Sequence, residues 1–176
     1  MNQKEEFKYI YKTPKNFSNL VLISDGEYLT GLFFESSKDE SKFKDIVYKN
    51  DPSKFVETIS WLDIYFSGKE PNFIPKYKIN NLTSFRNDVT NEMLKIKYGK
   101  TMTYGDISNN LAKKYNIKKM SAQAVGGAIG ANPICIIIPC HRVIGKNEKL
   151  IGYGGGINNK IELLRLEGID ISKFSM

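Results

Sequence analysis

Four consecutive residues, Pro139-Cys140-His141-Arg142, define the chemistry open to this chain. They follow an apolar run from Ile134 to Ile138, and His141 is the only histidine in 176 residues. A thiol is a useful nucleophile at neutral pH only as its thiolate, and a neighbouring imidazole is a common way to make one. A buried cysteine at a strand end beside a surface histidine would give the same dipeptide with no chemistry attached. The residues around the pair decide between these readings.

Composition removes several alternatives. The two cysteines, Cys135 and Cys140, lie five apart; in an extended strand an odd offset points side chains to opposite faces, so a disulfide is not expected. Two Cys and one His also argue against a structural metal site, and a reduced, cytoplasmic setting is expected. No stretch approaches the ~20 apolar residues of a membrane span, and the polar Met1–Glu6 start does not read as a signal peptide. At 41% hydrophobic and 26% charged, the chain has the make-up of a soluble domain, as one compact unit or two small lobes.

Charge is distributed unevenly. Residues 1–80 hold 12 Lys/Arg and 12 Asp/Glu, whereas residues 81–176 hold 14 and 7, so the whole net charge of +7 lies in the half with Cys140. A basic half beside a neutral one points to a polyanion partner; chance in a Lys-rich chain would look alike.

The elements that must position these residues read as follows. Phe7–Tyr11 and Leu20–Ile23 are strands, and Tyr28–Phe34 completes a hairpin through Ser24-Asp25-Gly26-Glu27. Ser36–Ser41 reads as a polar loop. Phe55, Ile59, Leu62 and Phe66 share helical spacing, and residues 71–82 form a linker. Thr83 or Ser84 caps a helix with Phe85, Val89, Met93 and Ile96 on one face. Thr103 caps the next, with Ile107 and Leu111 inward. Ser121 opens a short helix, Ala122 to Gly130. Gly costs about 1 kcal/mol against Ala within a helix, so Gly126 and Gly127 need a compensation. Close approach to a partner, as in a helix-turn-helix, and tight packing inside the core both supply one. Asn132-Pro133 ends this helix. Gly152 to Gly156 reads as a flexible loop near a ligand, and Asn158 or Asn159 as the cap of a last helix, Lys160–Leu166.

Taken together, Ala124-Val125-Gly126-Gly127-Ala128, Asn132-Pro133, Ile138 to Gly145, Gly152-Tyr153, Gly155-Gly156, Leu163-Leu164 and Glu167-Gly168 resemble the O6-alkylguanine-DNA alkyltransferases. Tyr98-Gly99-Lys100-Thr101 and Thr103-Tyr104-Gly105 match as well. The likeness runs from about residue 8 and is dense from Phe85 onward. It implies an α+β fold: a ribonuclease-H-like sheet and helix lobe over residues 1–80, then a mostly helical, winged helix-turn-helix-like domain over 81–176 carrying the site. It implies a monomer that needs no cofactor; some members hold a structural metal through Cys and His of the first lobe, and this chain has neither residue there, so no metal is expected. Its partner would be duplex DNA containing O6-alkylguanine, with O4-alkylthymine a second possible target. The damaged base is flipped out and its alkyl group passes irreversibly to Cys140, once per molecule.

The resemblance also assigns roles. His141 deprotonates Cys140 through a water, and Glu167 orients His141. The Tyr104 hydroxyl protonates the departing base. Asn132 is the hinge that joins the recognition helix to the active-site strand, and Arg142 ties the site together by hydrogen bonds. Backbone of Val143 and of Tyr153, Gly154 and Gly155 lines the base pocket; Gly154 stands where some members have Ser. Ala122, Ala124 and Gly126 permit close approach to the minor groove. Gln123 replaces an arginine that fills the gap left by the flipped base. Gln carries neither charge nor a stacking guanidinium, which weakens the wedge, and Lys118 and Lys119 would add phosphate contacts. Two rival readings remain: a sensor that binds alkylated DNA without transfer, and a Cys-His hydrolase of small esters or amides.

Overall fold

A computed structural model describes residues 4–43 and 46–176. It is a mixed α and β structure, with a four-stranded sheet early in the chain and helices predominating later. Strands β1 (Glu6–Tyr11), β2 (Leu20–Ser24) and β3 (Leu29–Phe34) form an antiparallel meander. The short β4 (Tyr48–Asn50) pairs parallel to β1, giving the order β3-β2-β1-β4. Strands β2 and β3 are buried along their whole length, which explains their continuous apolar sequences.

Helix α1 (Val56–Phe66) covers this sheet and follows a 3₁₀ turn at Pro52–Phe55. Its buried face is Thr58, Trp61, Leu62 and Tyr65, so Ile59 and Phe66 stand to the side of the core rather than in it. The segment read as a polar loop, Ser36–Ser41, instead enters a 3₁₀ turn over Lys38–Phe43. Phe43 anchors it by stacking on Phe33 with ring centroids 4.9 Å apart, a stabilising arrangement that the polar residues before it concealed.

Helices α2 (Ser84–Leu94), α3 (Tyr104–Lys114) and α4 (Ala122–Gly130) pack pairwise. Thr83, Thr103 and Ser121 cap them as expected, and Thr103 with Asp106 forms a reciprocal capping box. Strand β5 (Met102–Thr103) pairs with β6 (Val143–Ile144), holding the start of α3 beside the segment after Cys140. The last helix, α5 (Ile157–Leu166), begins at Gly156 without a side-chain cap. The proposed cap Asn159 lies inside it, buried, donating to Gly155 O (2.8 Å) and Ser18 Oγ (3.3 Å).

One core unites these parts: Leu22, Phe34 and Leu62 from the first half meet Val125, Ile134 and Leu163 from the second. Leu32 pairs with Ile134 across the halves.

The extended reading of Ile134–Ile138 fails. After Ile134 the chain turns: Ile137 N–H donates to Cys135 O (2.7 Å) and Ile138 N–H to Ile134 O (3.1 Å). Ile136 sits at φ 67°, a left-handed conformation that costs a β-branched residue about 1–3 kcal/mol. An unbroken apolar run reports burial on every side, not strand geometry, and all five residues are buried. The alternation argument about Cys135 and Cys140 therefore has no footing, although both are free thiols.

Candidate functional site

Cys140, His141 and Arg142 occupy a single 3₁₀ turn that hands the chain to β6. Asn132, just past α4, holds this turn in place. Its side-chain amide donates to Ile138 O (3.0 Å) and to Cys140 Sγ (3.1 Å), while its Oδ1 accepts from Ile134 N–H (3.0 Å). One buried asparagine thus braces both ends of the bulged segment and touches the thiol.

Behind Cys140 lies a buried polar network centred on Glu167, the residue ending α5. Its Oε1 accepts from Tyr65 OH (2.7 Å), His141 Nε2 (2.7 Å) and Arg142 Nη2 (3.0 Å). Its Oε2 accepts from Arg142 Nε (2.9 Å) and Gly99 N–H (3.1 Å). Arg142 Nη1 donates onward to Ile96 O (2.7 Å). Burial alone would raise the Glu167 pKa, but hydrogen bonds and charge from His141 and Arg142 outweigh it and hold the carboxyl far below its usual range.

A carboxylate can only accept, so His141 donates from Nε2 and keeps the lone pair on Nδ1. Burial lowers the His141 pKa against the opposing pull of Glu167, so the ring is neutral near pH 7 and Arg142 is the counter-charge. Nδ1 is buried and has no hydrogen-bond partner among the described residues. Such an orphaned acceptor is rare unless it has work to do. Burial pushes the Cys140 thiol up, with the Asn132 bond opposing, so the resting group is a thiol.

Cys140 opens onto a cavity of about 220 Å³ lined also by Asn132, Tyr104, Gly126, Ile129, Gly152, Tyr153 and Gly154. That is below the ~300–1,000 Å³ of drug-sized sites and suits one small ring system. A larger cleft of about 430 Å³ beside it includes neither Cys140 nor His141. Tyr104 stands at the start of α3 with its hydroxyl facing Gly152; burial, then proximity to Cys140, raises its pKa, so it remains a donor. Gly126, Gly127 and Gly130 have open space where a Cβ would be, so packing within this chain does not explain them.

Of the residues singled out in sequence, Cys140, Asn132, Tyr104, Gly126, Tyr153 and Gly154 share this cavity, and His141, Arg142 and Glu167 form the network behind it. Val143 and Gly155 are buried alongside. Ala122, Gln123 and Ala124 lie apart, exposed on the first turn of α4, with Lys118 and Lys119 exposed before them.

Three participants were given no role in the sequence reading. Tyr65, from α1, completes the Glu167 shell. Lys160 is fully buried, its Nζ donating to Val143 O (2.6 Å) and Ile151 O (3.2 Å), which ties β6 to the glycine loop; burial lowers its pKa to about 8, with Cys140 opposing. Asp39, from the first half, forms part of the cavity wall. An acid in a polar loop and a lysine in a helix carry no local mark of burial.

Fold and site together describe a protein that presents one buried, histidine-backed cysteine to a small cavity. A protein-family model described as the DNA binding domain of 6-O-methylguanine DNA methyltransferase matches residues 84–169. The methylated-DNA–protein-cysteine methyltransferase of Mycobacterium tuberculosis is 40% identical over 84% of this chain and 85% of its own length. That of Methanosarcina acetivorans is 37% identical over 90% of this chain and 96% of its own. The crystal structure of the Mycobacterium tuberculosis protein in complex with DNA superposes with a TM-score of 0.77 at 34% identity, covering 97% of this chain and 94% of that one. The chain belongs to the methylated-DNA–protein-cysteine methyltransferase family.

Proposed function

We propose that this protein repairs DNA by moving the alkyl group of O6-alkylguanine onto its own Cys140, once per molecule. The observation that carries this reading is the Cys140 thiol beside a base-sized cavity, backed by a neutral His141 whose Nδ1 lone pair is buried and unused. His141 accepts the thiol proton through a water, Glu167 holds the imidazole, and Arg142 holds Glu167. The sulfur attacks the alkyl carbon, an S–C bond forms and the C–O6 bond breaks. The electron pair leaves with the base, and the Tyr104 hydroxyl supplies its proton. A thioether is a poor leaving group, so the acceptor is consumed.

DNA binding is carried by the basic second half. Helix α4 would offer Ala122, Ala124 and Gly126 for close approach to a groove, and the exposed Gln123 would enter the space left by an extruded base. On this reading residues 81–176 form a winged helix-turn-helix-like domain, residues 1–80 a ribonuclease-H-like lobe, and the protein acts in the cytoplasm as a monomer without cofactor or metal.

The test is stoichiometry. Duplex carrying O6-methylguanine is incubated with limiting protein, digested to nucleosides and separated by chromatography. Restored guanine should plateau at one equivalent per protein. Continued turnover would show that the thioether is released, and no restoration with duplex still bound would leave a sensor.

A further inference from the structure

The 3₁₀ turn Lys38–Phe43 leaves the sheet edge and places Asp39 in the wall of the Cys140 cavity, only 7% exposed. Its Oδ1 accepts from Lys42 Nζ (2.8 Å). The same ammonium donates to Gly130 O (2.8 Å) and to Asn132 O (3.0 Å). Lys42 therefore joins a first-half acid to the end of α4 and to the asparagine that touches Sγ. The approach is closest at Gly154, where a Cβ would lie 2.2 Å from Asp39 Oδ1 and 2.9 Å from Oδ2. No side chain fits at 154 while Asp39 holds this position.

We propose that Asp39 and Lys42 form a positioning pair for the alkyl-acceptor site. Asp39 fills the place that a side chain at 154 would take, and the two opposite charges together set the reactivity of Cys140. This deepens the alkyl-transfer reading and rests on it for its biological meaning.

Few charges face this thiol. Lys42 and the buried Lys160 favour a thiolate, Asp39 opposes it, and Asn132 donates to the sulfur directly. Tyr104, Tyr153 and Cys135 are neutral neighbours, Lys38 lies at the rim, and the Glu167–Arg142 pair sits behind His141. In a buried setting a single charge a few ångströms away moves a titration by on the order of one pH unit, with the direction set by its sign.

Opposite shifts are therefore the signature of charge, and a shared defect is the signature of lost structure. The full chain is treated with iodoacetamide across pH and labelling at Cys140 is followed by peptide mass. The thiolate displaces iodide, forming an S–C bond, and no DNA is needed, so the outcome is independent of whether alkyl transfer occurs. Asp39→Asn should move the rate profile to lower pH and Lys42→Met to higher pH, each by on the order of one unit. Shifts in the same direction, or no shift in either variant, would overturn the charge role. The wall role is tested by thermal melting of Gly154→Ser with and without Asp39→Ala. The serine should lower Tm strongly alone and little beside Asp39→Ala, whereas equal losses in both backgrounds would refute it.

Discussion

Replacing Glu167 by Gln removes one charge from the network and little volume. Glu167 accepts from four partners, Tyr65, His141, Arg142 and the Gly99 N–H, through both oxygens. An amide can satisfy some of these bonds, but its NH2 faces donors and it cannot neutralise Arg142, whose side chain is 11% exposed. Leaving one member of a buried ion pair without its partner costs about 3–5 kcal/mol. Against a typical total of about 5–15 kcal/mol, that is a large fraction. Urea unfolding is well suited to the measurement because the only tryptophan, Trp61, stacks on Tyr65 with centroids 5.2 Å apart, and Tyr65 bonds Glu167. Its fluorescence should report the local network and the global transition together. The control is Glu162→Gln, which breaks an exposed-side pair with Arg165 and should cost about 0–1 kcal/mol. A loss below about 1 kcal/mol for Glu167→Gln would refute the view that the carboxylate is the centre of the buried network.

Acid should destabilise the protein in two stages. Burial lowers the His141 pKa below its usual 6.5, and hydrogen bonds and charge hold Glu167 far below its usual 4.5 despite burial. In both cases the unfolded chain binds protons more readily, so stability rises with pH. The urea midpoint should fall below about pH 6.5 through His141 and again below about 4.5 through Glu167, and His141→Gln should remove the first step. A midpoint that is flat from pH 7 to 4 would contradict both assignments. Asn132→Ala should cost about 1–3 kcal/mol by leaving Ile134 N–H unpaired and removing one of the two donors to Ile138 O, the other being Cys140 N–H, and should slow methyl transfer in single-turnover assays. Gln123→Arg should speed repair of duplex substrate while leaving Cys140 labelling by iodoacetamide unchanged; an equal effect on both reactions would contradict a role at the DNA.

The parts legible in sequence were those whose signals are local. The hairpin and the three capped helices announce themselves through caps, turn residues and spacing within about ten positions, whereas the Pro-Cys-His-Arg segment, expected on a strand, forms a 3₁₀ turn. The failures have one physical origin. Ile134–Ile138 reads as a strand because apolar continuity reports burial without reporting conformation, and the turn at Ile136 is imposed by Asn132 from outside the run. Ser36–Ser41 reads as a loop because the 3₁₀ turn it enters is ordered by Phe43 against Phe33, and Asp39 becomes a cavity residue only through Lys42 and Gly154. Tyr65 looks like one aromatic among many on α1 until Glu167, 102 positions away, accepts its hydrogen bond. Local pattern marked out Cys140, while long-range pairing built its surroundings.

The most direct measurement is intact mass after mixing the protein with a duplex containing one O6-methylguanine, with Cys140→Ser alongside. The expected result is a gain of one methylene by every active molecule, absent from the serine variant and mapped to the peptide holding Cys140. An unchanged mass with the duplex bound and unrepaired, or a gain that persists in Cys140→Ser, would contradict transfer to this cysteine.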